Sequence, residues 1–307
     1  MTLLEVNDLS VSFVQNEGWF RRRRMPVLQQ LRLTVNTGEV VAVLGASGAG
    51  KSLLAHAILG ILPRHAEVSG SLLYAGERLT PQRQAELRGR EIALVPQSVT
   101  YLDPLMPVGR QVRHAVKRGD KREAQRESFR RYRLGEKVGR QYPFQLSGGM
   151  ARRVLVAAAT ASGARLLIAD EPTPGLDPAV MREALGRFRE LADEGCGVLL
   201  ISHDIASALT IADHVAVMYA GTIVEIARAA DFTDEPAGLR HPYTQALWRA
   251  LPQNGFAPLA GAPPQPGELA HACAFAPRCP AATEACLHEL PPARELRHGL
   301  VRCIHAS

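Results

Sequence analysis

The sequence predicts an α/β fold in which helices cover a parallel sheet, and a few short stretches carry that prediction. Apolar runs that suit buried strands occur at 40–44, 166–169 and 197–201. Helix-like patterns follow the first two runs, at 53–62 and 179–192. Such alternation of strands and helices is typical of parallel sheets, whose functional residues lie at the carboxyl ends of the strands.

Length and composition fit a globular protein. The chain has 307 residues, 46% of them apolar, which is enough for one large domain or two modest ones. It has no uncharged apolar run of 18 residues, and its first stretch, MTLLEVNDLS, carries acidic residues where a secretory signal is basic and then apolar. We therefore expect a cytoplasmic location. The net charge of +6 is compatible with an anionic partner and equally with an ordinary arginine-rich surface.

The N-terminal region predicts a pair of strands. Residues 2–14 and 31–35 alternate between apolar and polar side chains ahead of the apolar run at 40–44. The arginine run 21–24 lies between the two stretches. We expect an exposed loop there, and contact with anionic lipid or a partner protein is the alternative.

A glycine-rich loop, GASGAGKS at 45–52, directly follows the first apolar run. Its glycines let the backbone bend around an anion, and the helix predicted after it points its positive end at the same place. Lys51 supplies a charge for the outer phosphates, and Ser52 supplies a hydroxyl for Mg²⁺. The loop therefore predicts a nucleoside triphosphate site, while a plain glycine-rich turn is the alternative.

The remaining stretches add smaller elements. Residues 70–78 predict a hairpin, and 91–95 predict a short buried strand that ends at Gln97. The basic region 98–145 has sparse apolar positions, which predicts a small helical insertion with one solvated face. Residues 215–227 predict another hairpin.

These motifs together resemble a P-loop ATPase of the ABC cassette type, over about residues 1–235. GASGAGKS resembles the Walker A loop, LLIADE the Walker B strand, and LSGGM at 146–150 the signature LSGGQ with methionine in the last position. Gln97 matches the Q-loop, the sequence PGLD at 174–177 the D-loop, and His203 the switch histidine. The resemblance implies a parallel-sheet core, an antiparallel β subdomain, and a small helical subdomain at 98–160. Residues 236–307 would form a Cys-rich C-terminal extension.

The resemblance also implies the chemistry, which is hydrolysis of ATP with Mg²⁺. Asp170, with Ser52 and Gln97, would hold the Mg²⁺, and Glu171 would be the general base for the attacking water. His203 would contact the γ-phosphate, and Gln97 would sense the metal and the water. A solvated loop start is the alternative for Asp170 and Glu171, and a helix cap is the alternative for His203. The residues assigned to ATP are Phe13, Gly45, Ala46, Ser47, Gly48, Ala49, Gly50, Lys51, Ser52 and Leu53.

Two assignments need more than the loop itself. Phe13 would stack on adenine, although an aromatic residue at a strand end is also typical of core packing. The signature would close on ATP that is bound to a second cassette, so the working unit would be a dimer. That second ABC subunit is expected to be a paralogue. The residues expected at the dimer interface are Leu146, Ser147, Gly148, Gly149 and Met150 of the signature with Leu176 and Asp177 of the D-loop.

Two stretches near the C-terminal end and the signature variant indicate a particular group within this family. The run LRHPYTQALWRALPQ, the tail CAFAPRCPAATEAC and the signature variant LSGGM resemble ATPases of the oligopeptide, dipeptide and nickel importers. This implies import of small peptides, nickel or metal–chelator complexes. Two membrane permeases and an extracytoplasmic substrate-binding protein would be partners, and the chain would sit peripherally on the cytoplasmic face of the inner membrane. Ala151, where the pattern has arginine, and a short helical insertion depart from the family.

Two questions stay open at this point. The resemblance implies an iron–sulfur cluster or zinc on Cys273, Cys279, Cys286 and Cys303, and reduced structural thiols are the alternative. Cys196 is expected to pack in the core. The second class of function is a non-transport ABC ATPase acting on nucleic acid or the ribosome. That class predicts a long coiled-coil insertion or tandem cassettes, and since the sequence shows neither we expect no nucleic-acid partner.

Overall fold

The computed structural model describes residues 1–307 without 18–20, 118, 234–237, 266–267, 270 and 297–298, and only the backbone of 15–17 and 21–22. The strands are β1 (Thr2–Glu17), β2 (Arg21–Asn36), β3 (Val40–Leu44), β4 (Ala66–Tyr74), β5 (Glu77–Arg78), β6 (Ile92–Val95), β7 (Leu166–Asp170), β8 (Gly197–Ser202), β9 (His214–Tyr219), β10 (Thr222–Arg228), β11 (Arg294–Leu296) and β12 (Gly299–Val301). The helices are α1 (Lys51–Leu59), α2 (Pro81–Leu87), α3 (Val108–Ala115), α4 (Lys121–Arg131), α5 (Gly148–Thr160), α6 (Pro178–Asp193), α7 (Ile205–Leu209), α8 (Pro242–Arg249) and α9 (Glu284–His288).

The core of the fold is a mixed sheet of order β11-β12-β10-β9-β3-β8-β7-β6. Strands β9, β3, β8, β7 and β6 run parallel, so their carboxyl ends meet at one edge, as the strand and helix alternation predicted. Alternate residues of β3 enter two different cores: Val40 and Ala42 pack on one face, Val41 and Val43 on the other. Burial on both faces explains why the strand reads as a continuous apolar run.

A second, antiparallel sheet of order β2-β1-β4-β5 packs beside the first. The predicted N-terminal strand pair and the hairpin at 70–78 are confirmed. The prediction of a loop at 21–24 is wrong, because these arginines begin β2 and pair with residues 14–17 of β1. One face of an antiparallel ribbon can remain in water, so arginines are compatible with the strand. Arg24 forms an ion pair with Glu67 of β4.

The helical insertion consists of α3 and α4, which pack against the long helix α5. Phe129 and Tyr132 of this insertion are buried in the same core as Val154 of α5. The Tyr132 hydroxyl lies 3.2 Å from Thr160 Oγ1, and burial raises the pKa of Tyr132 to about 12. Helix α5 thereby links the insertion to the central sheet.

The C-terminal region folds back onto the sheet that precedes it. Strand β12 pairs with β10, Val301 opposite Glu225, and so extends the central sheet. The Arg240 guanidinium lies 3.0 Å from the Glu225 carboxylate, and these side chains are 3% and 0% exposed. Arg302 donates to the carbonyl of Gln30 on β2 at 2.6 Å. The predicted boundary at 235/236 lies outside the described residues.

The lengths and compositions of the helices bear on whether the described part of the fold could span a membrane. Within the residues that the structure describes, no helix combines the length and the apolar character needed to cross a bilayer.

Candidate active site

The glycine loop between β3 and α1 is shaped by close backbone approaches. A Cβ atom on Gly45 would lie 2.3 Å from the carbonyl oxygen of Met218 on β9. Gly50 has a φ of +96°, and a Cβ there would lie 2.5 Å from a methyl group of Leu28. Both positions therefore exclude larger residues. Helix α1 begins at Lys51, two residues earlier than predicted, and its amino end faces the loop.

Lys51 is held across this loop. Its side chain is 7% exposed, and its Nζ donates to the carbonyls of Gly45 at 2.8 Å and Ala46 at 3.2 Å. Burial lowers the pKa of Lys51, and the carboxylates of Glu171 and Asp170 oppose that shift. The nearest of these contacts is the 3.9 Å between Lys51 Nζ and Glu171 Oε1. The ammonium is thus stabilised mainly by neutral carbonyls, which leaves its charge available to an anion.

A hydroxyl and a carboxylate lie side by side at the carboxyl end of β7. Ser52 Oγ donates to Asp170 Oδ1 at 3.1 Å, and Asp170 is 3% exposed. Burial raises the pKa of Asp170, the Ser52 hydrogen bond lowers it, and the nearby Glu171 charge raises it again. Hydroxyl and carboxylate oxygens are the donors that Mg²⁺ prefers, so this pair fits the metal expected with a nucleoside triphosphate. A cation beside Asp170 would favour its ionised form.

Glu171 connects the neighbouring strand ends. Its Oε2 lies 2.7 Å from Nδ1 of His203, the residue that follows β8, and its N–H donates to the Ile201 carbonyl at 2.9 Å. The backbone of Glu171 has a φ of +48°, a left-handed conformation that is strained for a non-glycine residue. The carboxylate is only 8% exposed, whereas His203 is 62% exposed. With this backbone the carboxylate lies between His203 and Lys51 of the loop.

Arg152 was missed by the sequence analysis. Its guanidinium on α5 donates to the carbonyl of Glu171 at 2.7 Å and to that of Gln97 at 2.6 Å. Burial lowers its pKa, and Glu171 opposes that shift. The arginine therefore ties the Q-loop to the β7 end. The sequence signal was a pair of consecutive arginines one position after the signature, a pattern that alone does not identify their partners.

Nine of the residues predicted for ATP and catalysis line one cavity of about 480 Å³ at the carboxyl edge of the sheet. They come from the ends of β3, β6, β7 and β8, which parallel topology brings together. The residues that line it are Val27, Ser47, Gly48, Gly50, Lys51, Ser52, Leu53, Gln97, Glu171, Pro174 and His203. An anion in this cavity would meet the amino end of α1, an ammonium, and a carboxylate–histidine pair.

The signature and Phe13 lie elsewhere. Residues 146–150 do not line this cavity, and Ser147 caps α5 by accepting from the Met150 N–H at 3.3 Å. Gly149 adjoins the D-loop, since a Cβ on it would lie 3.3 Å from the Gly175 carbonyl. The Asp177 carboxylate caps α6, and the N–H groups of Val180 and Ala179 lower its pKa. The centroid of the Phe13 ring lies 5.3 Å from that of His65, and Phe13 is not among the residues that line the cavity, so its stacking on adenine stays a prediction.

The cysteines of the tail are free thiols. Cys273 N–H donates to the Cys286 carbonyl at 2.9 Å, and Cys286 Sγ lies 3.6 Å from His305 Nε2. Burial raises the pKa of Cys273 and of Cys279, and neighbouring thiolates add to the shift. Within the described part of the chain no group of three or more His, Cys, Asp or Glu side chains could hold a metal ion. The predicted cluster or zinc therefore has no assembled ligand set here. Cys196 is buried, as predicted.

Comparisons with known proteins agree with this geometry. The profile of the ABC transporter family matches residues 28–174, and that of the oligopeptide/dipeptide transporter C-terminal region matches 224–286. The dipeptide transport ATP-binding protein DppD of Escherichia coli K12 is 36% identical over 97% of this chain and 95% of its own length. The oligopeptide transport ATP-binding protein OppD of Salmonella typhimurium is 35% identical over 98% of this chain and 92% of its own.

Solved structures share the fold. The structure of an ATP-binding subunit of an ABC transporter superposes with a TM-score of 0.61 at 29% identity, covering 75% of this chain and 91% of that one. A dimeric ATP-binding cassette bound to ADP and Pi superposes with a TM-score of 0.64 at 24% identity, covering 74% of this chain and 99% of that one.

Proposed function

The chain belongs to the ABC transporter family and is an ATPase of that family, and from this premise we propose that it powers the import of small peptides. The observation that carries the proposal is the match of residues 224–286 to the oligopeptide/dipeptide transporter C-terminal region. The cassette alone occurs with many cargoes, whereas this region is shared with relatives named for dipeptide and oligopeptide transport.

Hydrolysis is assigned to the residues around the cavity. Lys51 and the loop N–H groups hold the outer phosphates of ATP, and Glu171 accepts the proton of the attacking water. His203, 2.7 Å from Glu171, orients that carboxylate. Ser52, Asp170 and Gln97 would hold Mg²⁺, which neutralises the charge on the phosphates when bound. The buried Asp170 carboxylate, with its 3.1 Å bond to Ser52, supports this assignment.

The active site is completed by a second cassette in this proposal. The exposed Ser147 caps the signature helix α5, and Gly175 and Asp177 of the D-loop are exposed beside it. Ser147, Gly175 and Asp177 do not line the cavity that they would need to reach within one chain, although Pro174 of the D-loop does. Closure of two cassettes over two ATP molecules gives both signatures a nucleotide to contact, and hydrolysis opens the pair again. A paralogue is proposed as the second subunit.

Exposed apolar side chains in two joined segments, here called the apolar patch, support docking to membrane permeases. Tyr101, Leu105 and Phe144 are 53%, 86% and 75% exposed. The segments that carry them are joined by the bond from Val108 N–H to the Gln141 carbonyl at 2.9 Å. The patch follows Gln97 in the chain, and Arg152 ties the Gln97 carbonyl to Glu171. A permease on this patch would therefore be coupled to the site of hydrolysis.

The cargo is tested on the intact complex. We expect the chain to be recovered at the cytoplasmic face of the inner membrane with two permeases, a second ABC subunit and an extracytoplasmic binding protein. Mass spectrometry of what the binding protein holds should find small peptides. If the binding protein held nickel or a metal–chelator complex, the proposed cargo would be wrong and the proposed import function would stand. DNA or ribosomes in place of membrane subunits would contradict transport.

A metal on the four tail cysteines is a separate prediction. It is tested by purifying the protein without oxygen and measuring iron, zinc and sulfide. One cluster or one zinc per chain would mean that the thiols move together from their described positions, and a metal-free, fully active protein would contradict the prediction.

A further inference from the structure

The back of the glycine loop rests on the turn between β9 and β10. Gly221 in this turn donates its N–H to the Ala49 carbonyl at 3.1 Å, and its own carbonyl accepts from the Gln29 N–H at 2.9 Å. Met218 of β9, three residues before Gly221, closes against Gly45, where a Cβ would lie 2.3 Å from the Met218 carbonyl. The end of β9 therefore contacts the beginning of the loop, and the turn contacts its end.

An aromatic cluster of Tyr219 from β9 with two residues of the C-terminal extension packs under this turn. Tyr219, Tyr243 and Phe275 are 1%, 2% and 1% exposed. The rings of Tyr219 and Tyr243 lie 4.4 Å apart, and the Phe275 ring lies 5.4 Å from each of them. Arg278 donates to the Tyr219 hydroxyl at 3.0 Å and to the carbonyls of Leu259 and Ala260. This aromatic cluster joins the turn to the cysteine-rich tail.

The extension also reaches the loop directly. Tyr243 lies in the first turn of α8, where burial raises the pKa of its hydroxyl and the backbone N–H of Ala46 opposes that shift. Residues 263–265 face the loop across a second cavity of about 240 Å³, whose walls include residues 46–49 and the turn at 219–221. Residues of the extension thus face the loop from a cavity that does not include Glu171.

We propose that Tyr243 is a positioning residue for nucleotide binding, and that the C-terminal extension holds the glycine loop in its binding shape through Tyr243 and the aromatic cluster. A glycine-rich loop that is free to rearrange loses conformational entropy when it closes on phosphate, and a loop already held loses less. Ala46 is exposed, so without Tyr243 its N–H would bond to water and the loop would be less restricted. The inference rests on the nucleotide site proposed above.

The test uses the purified full chain with MgADP, measured by titration calorimetry. Tyr243→Phe keeps the ring and removes the hydroxyl, and we expect the Kd to rise about three- to tenfold, the equivalent of one hydrogen bond. In the complex with the second ABC subunit, the KM for ATP should rise in parallel, and kcat at saturating ATP should stay at the wild-type value. Arg278→Gln removes the hydrogen bond to the Tyr219 hydroxyl and so loosens the aromatic cluster. This variant should also raise the Kd.

Trp248→Phe is the matched control. It removes one hydrogen bond from the same helix, the 2.8 Å bond from the indole to the Thr233 carbonyl, on a side that packs against Phe232. We expect lower thermal stability and an unchanged Kd. A wild-type Kd in Tyr243→Phe, or an equal rise in Trp248→Phe, would overturn the positioning role. Failure of the wild-type chain to bind MgADP would instead overturn the nucleotide site itself.

Discussion

Two regions of this molecule bury charged side chains and use them in opposite ways. At the carboxyl edge of the sheet, Lys51 faces loop carbonyls and Glu171 sits on a strained backbone beside an open cavity. In the seam between cassette and extension, Glu225 accepts from the side chain and N–H of Arg240 and from the N–H of His241. The first region keeps charge available for a ligand, whereas the second uses charge to fix the fold.

The largest expected effect is a loss of ATP turnover without a loss of folding, in the variant Glu171→Gln. Glu171→Gln preserves the shape of the side chain but removes the proton acceptor, so ATP turnover should fall by about 100-fold or more. MgATP binding should persist, because Lys51 and the loop are unchanged. Phosphate release and nucleotide titration on the same preparation measure both quantities. Hydrolysis near the wild-type rate would refute the role of Glu171 as the base.

The reverse experiment removes stability and spares chemistry. Glu225→Gln leaves the Arg240 guanidinium buried without a counter-charge, and the free energy of unfolding should fall by about 3–5 kcal/mol. Denaturant unfolding measures this loss, and turnover at low temperature should persist in the folded fraction. Glu67→Gln is the matched control, because its exposed pair with Arg24 should contribute less than about 1 kcal/mol. Equal losses in the two variants would mean that the seam carries no special share of the stability.

Arg152 combines features of both regions, since its guanidinium is half-buried and bonded to two carbonyls yet adjoins the reacting groups. Arg152→Gln breaks its bonds to the carbonyls of Gln97 and Glu171. We expect kcat to fall about tenfold with little change in KM, because a shifted carboxylate affects the water more than the phosphates. Arg187→Gln, which breaks ion pairs with Glu190 and Glu194 on the surface of α6, should leave kcat unchanged. A pure KM effect of Arg152→Gln would contradict the positioning of Glu171.

The two regions also differ in how well the sequence predicts them. The glycine loop, the β7 carboxylates and His203 could be found because each is a short contiguous pattern at the end of an apolar strand. Parallel topology then brings the strand ends together without further information. The loop expected at 21–24 was wrong because a run of four arginines outweighed the strand pattern on either side.

The sequence contains no comparable pattern for the contacts between cassette and extension. Strands β11 and β12 have three residues each, too few to show a period. The partners of Arg152, Arg240 and Arg302 are chosen by the tertiary fold, so the sequence shows the charge but not the contact. The cysteine spacing suggested ligands, whereas the folded thiols in the described residues assemble no metal site.

A pH dependence of stability is expected from the seam. His241 is 1% exposed, and burial lowers its pKa from 6.5 to about 4. The unfolded chain therefore binds a proton between those pH values that the folded chain does not. Stability from this group should be full above pH 6.5 and should be lost towards pH 4, by at most about 1.4 kcal/mol per pH unit.

His241→Asn isolates that effect, because asparagine can still cap α8 by accepting from the Tyr243 N–H, as His241 Nδ1 does at 3.0 Å. The variant should lose less stability on acidification than the wild type, measured by denaturant unfolding at several pH values. His214, whose bond to Glu39 raises its pKa, has the opposite dependence and is present in both proteins, so it cancels in the difference. Equal slopes would mean that His241 takes up its proton in the folded state, and the seam would then tolerate an additional charge.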